Sequence, residues 1–387
     1  MILASRALLA LTAASWVYWA LALLAVRRHV RARVPVPAAP LPPVSILKPV
    51  RGVDADARAC FESFLRQDYP TFELVFGVAD PSDPVLPLLA ELRAAHPGVA
   101  VQVVVAPAPG PNRKASLLAA LTRAARHDVL VSSDSDMRVE PTWLGDVVAT
   151  LEPDVGLVTC PYRAADPRSL AASLEALYVG VTFLPSAIVA GDLLGMPFGM
   201  GSTLALRRRD LRALGGFAAL VDYLADDYQL GARVAALGRR VVVARHVVTT
   251  VLGPTTVRDG WEREVRWARC TRASQPLGHF GFAMTFSTPL AVLALLATGL
   301  APLGWAAVAG SLAVRWLAAA GIARATGDLA ALQALPLLPL RDGLTAAVWA
   351  AAAMGRRVVW RGDVFHVDRV GRLRPVPPER TAGPEQA

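Results

Sequence analysis

The chain is short of several things that would otherwise narrow its chemistry. Only three cysteines, Cys60, Cys160 and Cys270, occur in 387 residues. They lie far apart with no C-x-x-C pair, which argues against a disulfide framework or a cysteine zinc site. Charged residues make up 18%, against about 25% in an ordinary soluble domain. Lysine is nearly absent: all but Lys48 and Lys114 of the 40 basic residues are arginine, and Asn112 is the one asparagine. The six histidines show no metal-ligand spacing. Gly199-Met-Gly-Ser202 lacks the lysine of a phosphate loop, and no G-x-S-x-G nucleophile elbow occurs.

The surplus is apolar. With 54% hydrophobic residues and a mean hydropathy of +0.41, a wholly soluble protein is not expected, nor is disorder away from the ends. Residues 7–26 carry no charge, and about 20 residues at roughly 1.5 Å rise cross a hydrocarbon core. The length, the single Arg6 before the run and the arginine cluster from Arg27 to Arg33 favour an anchor (1–33) over a cleaved signal peptide. A C-terminal membrane region is expected over 281–355. Within it, 283–303 and 305–323 read as a hairpin across Pro302-Leu303-Gly304, with Arg315 the one charge inside. The runs 329–340 and 343–354, split by Arg341-Asp342, are each too short to span. A re-entrant or interfacial pair competes there with one tilted helix carrying a buried ion pair. Three spans would leave the soluble domain and a basic tail, 356–387, on the cytoplasmic face. Much of the net charge of +9 flanks these segments. No RNA-binding aromatic motif or basic zipper occurs, so no nucleic acid partner is expected.

Between the membrane segments the pattern changes. The Pro-rich stretch 34–43 reads as a stiff linker, and 44–280 as the soluble domain. Strand-like runs at 44–50, 72–79, 99–105 and 128–132 alternate with helix-like segments at 54–66, 85–95 and 115–126. That alternation argues for a parallel, nucleotide-binding type of α/β sheet. Ligands of such sheets bind beyond the carboxyl ends of the strands, where Asp80, Asp134 and Asp136 fall.

Four groups of residues could carry chemistry. Asp134-Ser135-Asp136 can put two carboxylates near one divalent ion that also binds a diphosphate, and hard oxygen ligands suit Mg²⁺ or Mn²⁺; a solvated acidic turn is the plainer reading. Asp226-Asp227 opens a helix, either as a cap and macrodipole pair or with one carboxylate as general base on a hydroxyl. Arg263 and Arg266, three apart and followed by Trp267, present two guanidinium groups on one helical face suited to phosphate. Arg269 and Arg272 continue that spacing, so a helix resting on anionic headgroups fits as well. Lys114, beside Asn112 in Pro111-Asn-Arg-Lys-Ala115, hints at a task that arginine does not perform, a basic helix start being the alternative.

In order, these pieces resemble the ceramide glucosyltransferase-like glycosyltransferases, of the wider family-2 type of inverting GT-A enzymes, which include the hopanoid-biosynthesis glycosyltransferases. The resemblance runs from Lys48-Pro-Val-Arg-Gly-Val53 through Gln67-Asp-Tyr-Pro70, Val78-Ala-Asp80, Asn112-Arg-Lys114, Ser133-Asp-Ser-Asp136, Leu214-Gly-Gly-Phe217, Ala225-Asp-Asp-Tyr228 and Arg266-Trp-Ala-Arg269 to Val359-Trp-Arg-Gly362. It implies an α/β GT-A domain with N-terminal and C-terminal transmembrane helices. It also implies a UDP-sugar donor, a divalent metal (Mg²⁺ or Mn²⁺) and a membrane lipid acceptor. By the same resemblance Asp80 holds the uracil, Lys114 lies by the nucleotide, and Asp134 and Asp136 form the metal and sugar-nucleotide pair, with Asp136 the direct ligand. Asp227 is the base, and Arg263, Arg266 and Trp267 lie near the diphosphate and acceptor. The first acid of the pair is Asp226 where Glu is commoner.

The implied reaction is inverting transfer of one glucose, galactose or N-acetylglucosamine to a lipid hydroxyl, giving a β-glycolipid. A processive polysaccharide synthase would share the acids and the R-W signature, but normally needs more spans. A non-catalytic binding module would be expected to have lost an acid, and all are present. The arginine-for-lysine bias suggests a GC-rich bacterial genome and hence an inner-membrane location.

Overall fold

A computed structural model describes residues 2–35, 40–360 and 363–376. Residues 36–39 of the expected linker, Arg361-Gly362 of the last motif and the end of the expected tail lie outside the described residues. The core is a seven-stranded sheet in the order β3-β2-β1-β4-β8-β6-β9. Its strands are β1 (Val44–Val50), β2 (Phe72–Val78), β3 (Ala100–Val105), β4 (Val129–Ser132), β6 (Val155–Thr159), β8 (Leu204–Arg207) and β9 (Arg240–Val243). The first four are parallel, β8 runs antiparallel to β4 and β6, and β6 and β9 are parallel again. Strands buried on both faces read as near-continuous apolar runs, which is why β1, β2 and β4 stand out in the sequence. On one face α2 (Ala57–Leu65), α3 (Leu86–Ala95) and α5 (Trp143–Thr150) bury Phe61, Phe64, Leu89, Leu92 and Trp143. On the other, α4 (Arg113–Ala124), α8 (Arg208–Ala213) and α9 (Asp226–Ala236) bury Leu118, Leu121, Leu211, Leu230 and Val234.

A second, three-stranded sheet crosses the carboxyl end of the first. It consists of β5 (Met137–Arg138), β10 (Val248–Val251) and β7 (Tyr162–Ala165). The described part of the 356–387 segment is folded rather than a plain basic tail. The strands β11 (Arg357–Trp360), β12 (Asp363–Val367) and β13 (Leu373–Pro375) form an antiparallel sheet whose Val358, Phe365, Val367 and Leu373 cluster with Leu224.

The apolar helices depart from the hydropathy reading in instructive ways. Helix α1 (Ile2–Arg31) contains the expected anchor and packs along α12 (Ser287–Ala297) and α13 (Pro302–Thr326). The arm before the hairpin turn is not straight: α11 (Pro276–Gly281) and its 3-10 continuation meet α12 at 70°. Pro289 in the first turn of α12 has no N–H to offer the Thr285 carbonyl, which accepts the Trp19 indole N–H instead, at 3.0 Å. A further helix lies inside the expected soluble domain. Residues Leu170–Leu193, comprising α6 (Leu170–Tyr178), α7 (Leu184–Ile188) and two π turns, are also long and apolar enough to cross a membrane. Protein covers most of this helix.

Arg341 and Asp342 do not pair with each other. They sit on α15 (Leu338–Ala353), separated by a 3-10 turn from α14 (Leu329–Ala334), so the last apolar block is two helices rather than one tilted span. Arg341 makes a two-pronged bond to Glu264 of α10 (Val257–Ser274), at 2.7 and 2.8 Å. Asp342 accepts from Arg315 of α13 at 3.2 Å and from Thr288 of α12 at 2.9 Å. These pairs clamp the four helices together. A buried ion left without its partner costs about 3–5 kcal/mol, whereas replacing both ions by apolar groups is often neutral. Glu264→Gln is therefore expected to lower the melting temperature of the detergent-solubilised protein, and the double change Glu264→Met with Arg341→Leu to recover most of it.

Candidate active site

The carboxyl end of β4 is built to hold a loop of acids. Ser133 donates its N–H to the Leu47 carbonyl and Asp134 donates its own to the Gly201 carbonyl. Underneath, the fully buried Lys48 donates Nζ to the Asp134 carbonyl at 2.6 Å and lies 3.5 Å from the Phe64 ring centroid. Burial pulls this ammonium down to about 7, against the opposing fields of Cys60, Asp136 and Asp134. Ser135 donates to Asp54 at 2.5 Å. The small sheet supplies Thr250, whose hydroxyl donates to Asp136 Oδ2 at 3.0 Å, while the Val251 N–H donates to the Asp136 carbonyl. The main chain of both D-x-D residues is thus fixed by backbone bonds, and Thr250 holds the Asp136 side chain.

Two helix starts close the site. Asn112 caps α4 by accepting the Ala115 N–H at 2.9 Å, and its amide donates to the Tyr223 carbonyl and to Asp226 Oδ1. The single asparagine therefore ties the start of α4 to the start of α9, a task that needs an acceptor and a donor on one short side chain. At the second residue of α4, Lys114 pairs with Asp134 at 2.5 Å. Burial works against its charge, but Asp134, Asp226 and Asp227 outweigh that and hold the ammonium above its ordinary range. Asp227 Oδ2 accepts the Gly201 N–H at 3.0 Å, and Oδ1 accepts the Tyr228 N–H at 2.7 Å. Burial, with Asp226 beside it, pushes Asp227 up to about 6.

Gly201 is the residue that the sequence reading missed. Its N–H faces Asp227, its carbonyl faces the Asp134 N–H, and a Cβ there would lie 2.5 Å from Asp134 Oδ2 and 2.7 Å from Lys114 Nζ. The signal lies in Gly199-Met-Gly-Ser202, whose glycines allow close backbone approach to the acids rather than forming a phosphate loop.

The remaining candidates are scattered around this cluster. Asp80 is exposed at the end of β2 and accepts from the Ser82 hydroxyl and N–H, which hold its carboxyl below the usual range. It shares the strand end with the acids but is not bonded to them. Arg263 is committed to Glu175 at 2.6 Å and to Thr255, joining α10 to α6. Arg266 lies over the Trp360 ring of β11, at 5.7 Å, and Trp267 is half-buried. Arg269 and Arg272 do not form a headgroup-facing row. They donate to backbone carbonyls at and beyond the end of α15, Arg272 to Ala353 at 2.6 Å, where cations offset the helix dipole.

Among the described residues, no group of three or more His, Cys, Asp or Glu side chains could hold an ion by itself. Asp134 and Asp136 nevertheless offer hard oxygen donors. Burial, then Asp134 and Asp54, pushes the Asp136 carboxyl up to about 6. Such surplus negative charge fits a divalent cation that draws its other ligands from water and a diphosphate.

An α/β sheet with an acid loop at the carboxyl end of its central strand, flanked by apolar helices, has the architecture of a GT-A type glycosyltransferase. The model of glycosyl transferase family 21 matches residues 7–373, and the chain belongs to that family. It is 26% identical over 240 residues to ceramide glucosyltransferase 1 of Caenorhabditis elegans, covering 61% of this chain and 51% of that protein. It is 29% identical over 127 residues to the ceramide glucosyltransferase of Candida albicans, covering 30% and 23%. The chain spans about half the length of the first of these relatives and less of the second. Among solved structures, the mannosyltransferase PcManGT of Pyrobaculum calidifontis, in complex with GDP-Man and Mn²⁺, superposes with a TM-score of 0.54 at 24% identity. The match covers 90% of this chain and 97% of that one, and it shows a shared fold.

The double duty of Asn112 gives a test of how the two helix starts are held. Asn112→Ala is expected to cost about 1–3 kcal/mol, the loss of a cap plus a buried bond. Asn112→Asp keeps the cap but sets a carboxylate against Asp226, so it should be no more stable than Asn112→Ala in thermal or denaturant unfolding. Wild-type stability for the aspartate variant would show that the cap alone matters.

Proposed function

We propose that the protein is an inverting glycosyltransferase that moves one glucose, galactose or N-acetylglucosamine from a UDP-sugar to the hydroxyl of a membrane lipid such as ceramide or a hopanoid polyol. The observation that carries this reading is the meeting of Asp227 and Asp134 on the backbone of Gly201, with Lys114 paired to Asp134, in a family 21 chain. It places a carboxylate of raised pKa beside a cation and a pair of hard donors, which is the equipment for hydroxyl activation next to a departing diphosphate.

In this reading Asp227 removes the proton of the acceptor hydroxyl as its oxygen attacks the anomeric carbon. The bond from that carbon to the diphosphate oxygen breaks on the opposite face, so an α-linked donor gives a β-glycoside and UDP. Lys114 and Arg266 receive the charge that grows on the diphosphate, and Trp267 lines the acceptor side. Asp80 holds the uracil. Arg263, bonded to Glu175, steadies the helix that carries Arg266. Asp136, with Asp134, would hold Mg²⁺ or Mn²⁺, which when bound neutralises the diphosphate and makes it a better leaving group.

The membrane setting supports a lipid acceptor. Exposed Leu193, Leu194, Val257, Leu277 and Phe280 lie on segments adjoining α10 and the apolar helices, and both relatives reported above are ceramide glucosyltransferases by name. The arginine-rich end of α1 reaches the catalytic domain, where His29 bonds to the Ala244 carbonyl and to Asp192. Basic residues at that end favour a cytoplasmic catalytic domain, in a bacterium at the inner membrane.

The tests are direct. Lipids of a host expressing the chain should gain one hexose or N-acetylhexosamine by mass spectrometry, and the gain should vanish with Asp227→Asn. General-base removal is expected to cost about 10²–10⁴ in turnover while UDP binding by calorimetry is retained; near-wild-type turnover removes Asp227 as base. Because the base must be ionised and Asp227 sits at about 6, the rate should be level above neutrality and fall through that pH about tenfold per unit. A profile still flat at pH 5 contradicts the assignment. Asp136→Ala should weaken metal-dependent UDP binding, and unchanged binding excludes it as ligand.

A further inference from the structure

At the end where α1 and α13 meet the catalytic domain, the two helices line a cleft of about 760 Å³. Its rim carries three guanidinium groups, Arg27 and Arg31 from α1 and Arg324 from α13, and its wall is apolar, with Val30, Leu317 and Gly321. All three arginines are exposed, and among the described residues none has a carboxylate within ion-pair distance, whereas Arg315 and Arg341 deeper in the helices are both paired. At Gly321 the two helices lie close together: a Cβ there would come 2.8 Å from the Leu23 side chain and 3.6 Å from the Arg27 guanidinium. Three unpaired cations facing one hollow repel each other and call for an anion. The hollow sits at the ends of two helices long and apolar enough to span a bilayer, so its cations lie where headgroup phosphates lie.

We propose that this cleft binds the headgroup of an anionic phospholipid, with the phosphate between Arg27, Arg31 and Arg324 and the first chain carbons along Leu317 and Val30. The site is separate from the acid cluster, since none of its lining residues is bonded to Asp134, Asp136 or Asp227. It rests on α1 and α13 crossing the bilayer, and not on the transfer reaction. Bound there, the lipid bridges the anchor and the hairpin beside the His29 contact, so it would set how the catalytic domain is seated on the membrane.

The test uses the full chain purified in detergent and titrated with phosphatidylglycerol or phosphatidylcholine of identical chains, with bound lipid counted by native mass spectrometry. Phosphatidylglycerol should be retained in preference to phosphatidylcholine. Arg27→Gln and Arg324→Gln should each weaken retention about fivefold, the effect of one arginine near an anionic lipid. Arg28→Gln, on the same helix but outside the cleft, should leave it unchanged. Equal retention of the two lipids overturns the proposal, and so does an Arg28→Gln loss as large as that of Arg324→Gln, which would make the attraction one of surface charge. Inorganic phosphate that displaces phosphatidylglycerol at comparable concentration would identify a free-anion site and also overturn it.

Discussion

Carboxylates crowd the carboxyl end of β4, and in a partly dry setting each must face an N–H, a hydroxyl or a cation or else take up a proton. That constraint organises the rest of the α/β half. Lys48 is buried beneath the loop to hold its backbone, Thr250 is brought across by a second sheet to serve Asp136, and Gly201 presents main chain where a side chain would intrude. Burial raises Asp136 and Asp227 first, and the neighbouring carboxylates add to it. A cation and a diphosphate would complete the balance of charge there.

Polar satisfaction also joins the two halves of the protein. Glu264 lies on α10 together with Arg263 and Arg266, and its partner Arg341 lies on α15 among apolar helices. Glu175 on α6 holds Arg263 from the other side. The helix that carries the R-W signature is thereby bolted to the C-terminal apolar helices through buried ions, whose loss of one partner is costly. The folded end of the chain adds a second tie. Gly371 accepts from Leu224 and Asp222 accepts from Leu373, just ahead of Asp226 and Asp227, so the C-terminal sheet braces the segment leading into α9.

Much of this was legible along the chain. The strands fall on the apolar runs that alternate with amphipathic segments, and the D-x-D lies where a strand end predicts it. The rarity of Lys48, Lys114 and Asn112 marked positions that all proved to bear on the acid cluster, though Lys48 and Asn112 hold backbone and helix starts in place. The arginines of α10 were not legible in the same way. Four of them share one helix at regular spacing, yet Arg263 meets a carboxylate, Arg266 an indole ring, and Arg269 and Arg272 the end of another helix. The Leu170–Leu193 helix was hidden for a related reason, since its apolar surface is spent on protein contacts within what reads as a soluble stretch.

The class of fold, the apolar helices near both ends and the strand-end acids as candidates can be read from residue order alone, because periodicity, run length and strand-end position are properties of neighbours along the chain. Which cation answers which anion was decided only by the tertiary structure. Glu175 and Arg263 are 88 residues apart, and Asp134 and Asp227 come together on the main chain of Gly201. A guanidinium or a glycine reads the same in one dimension whatever it will face, and only packing chooses its partner.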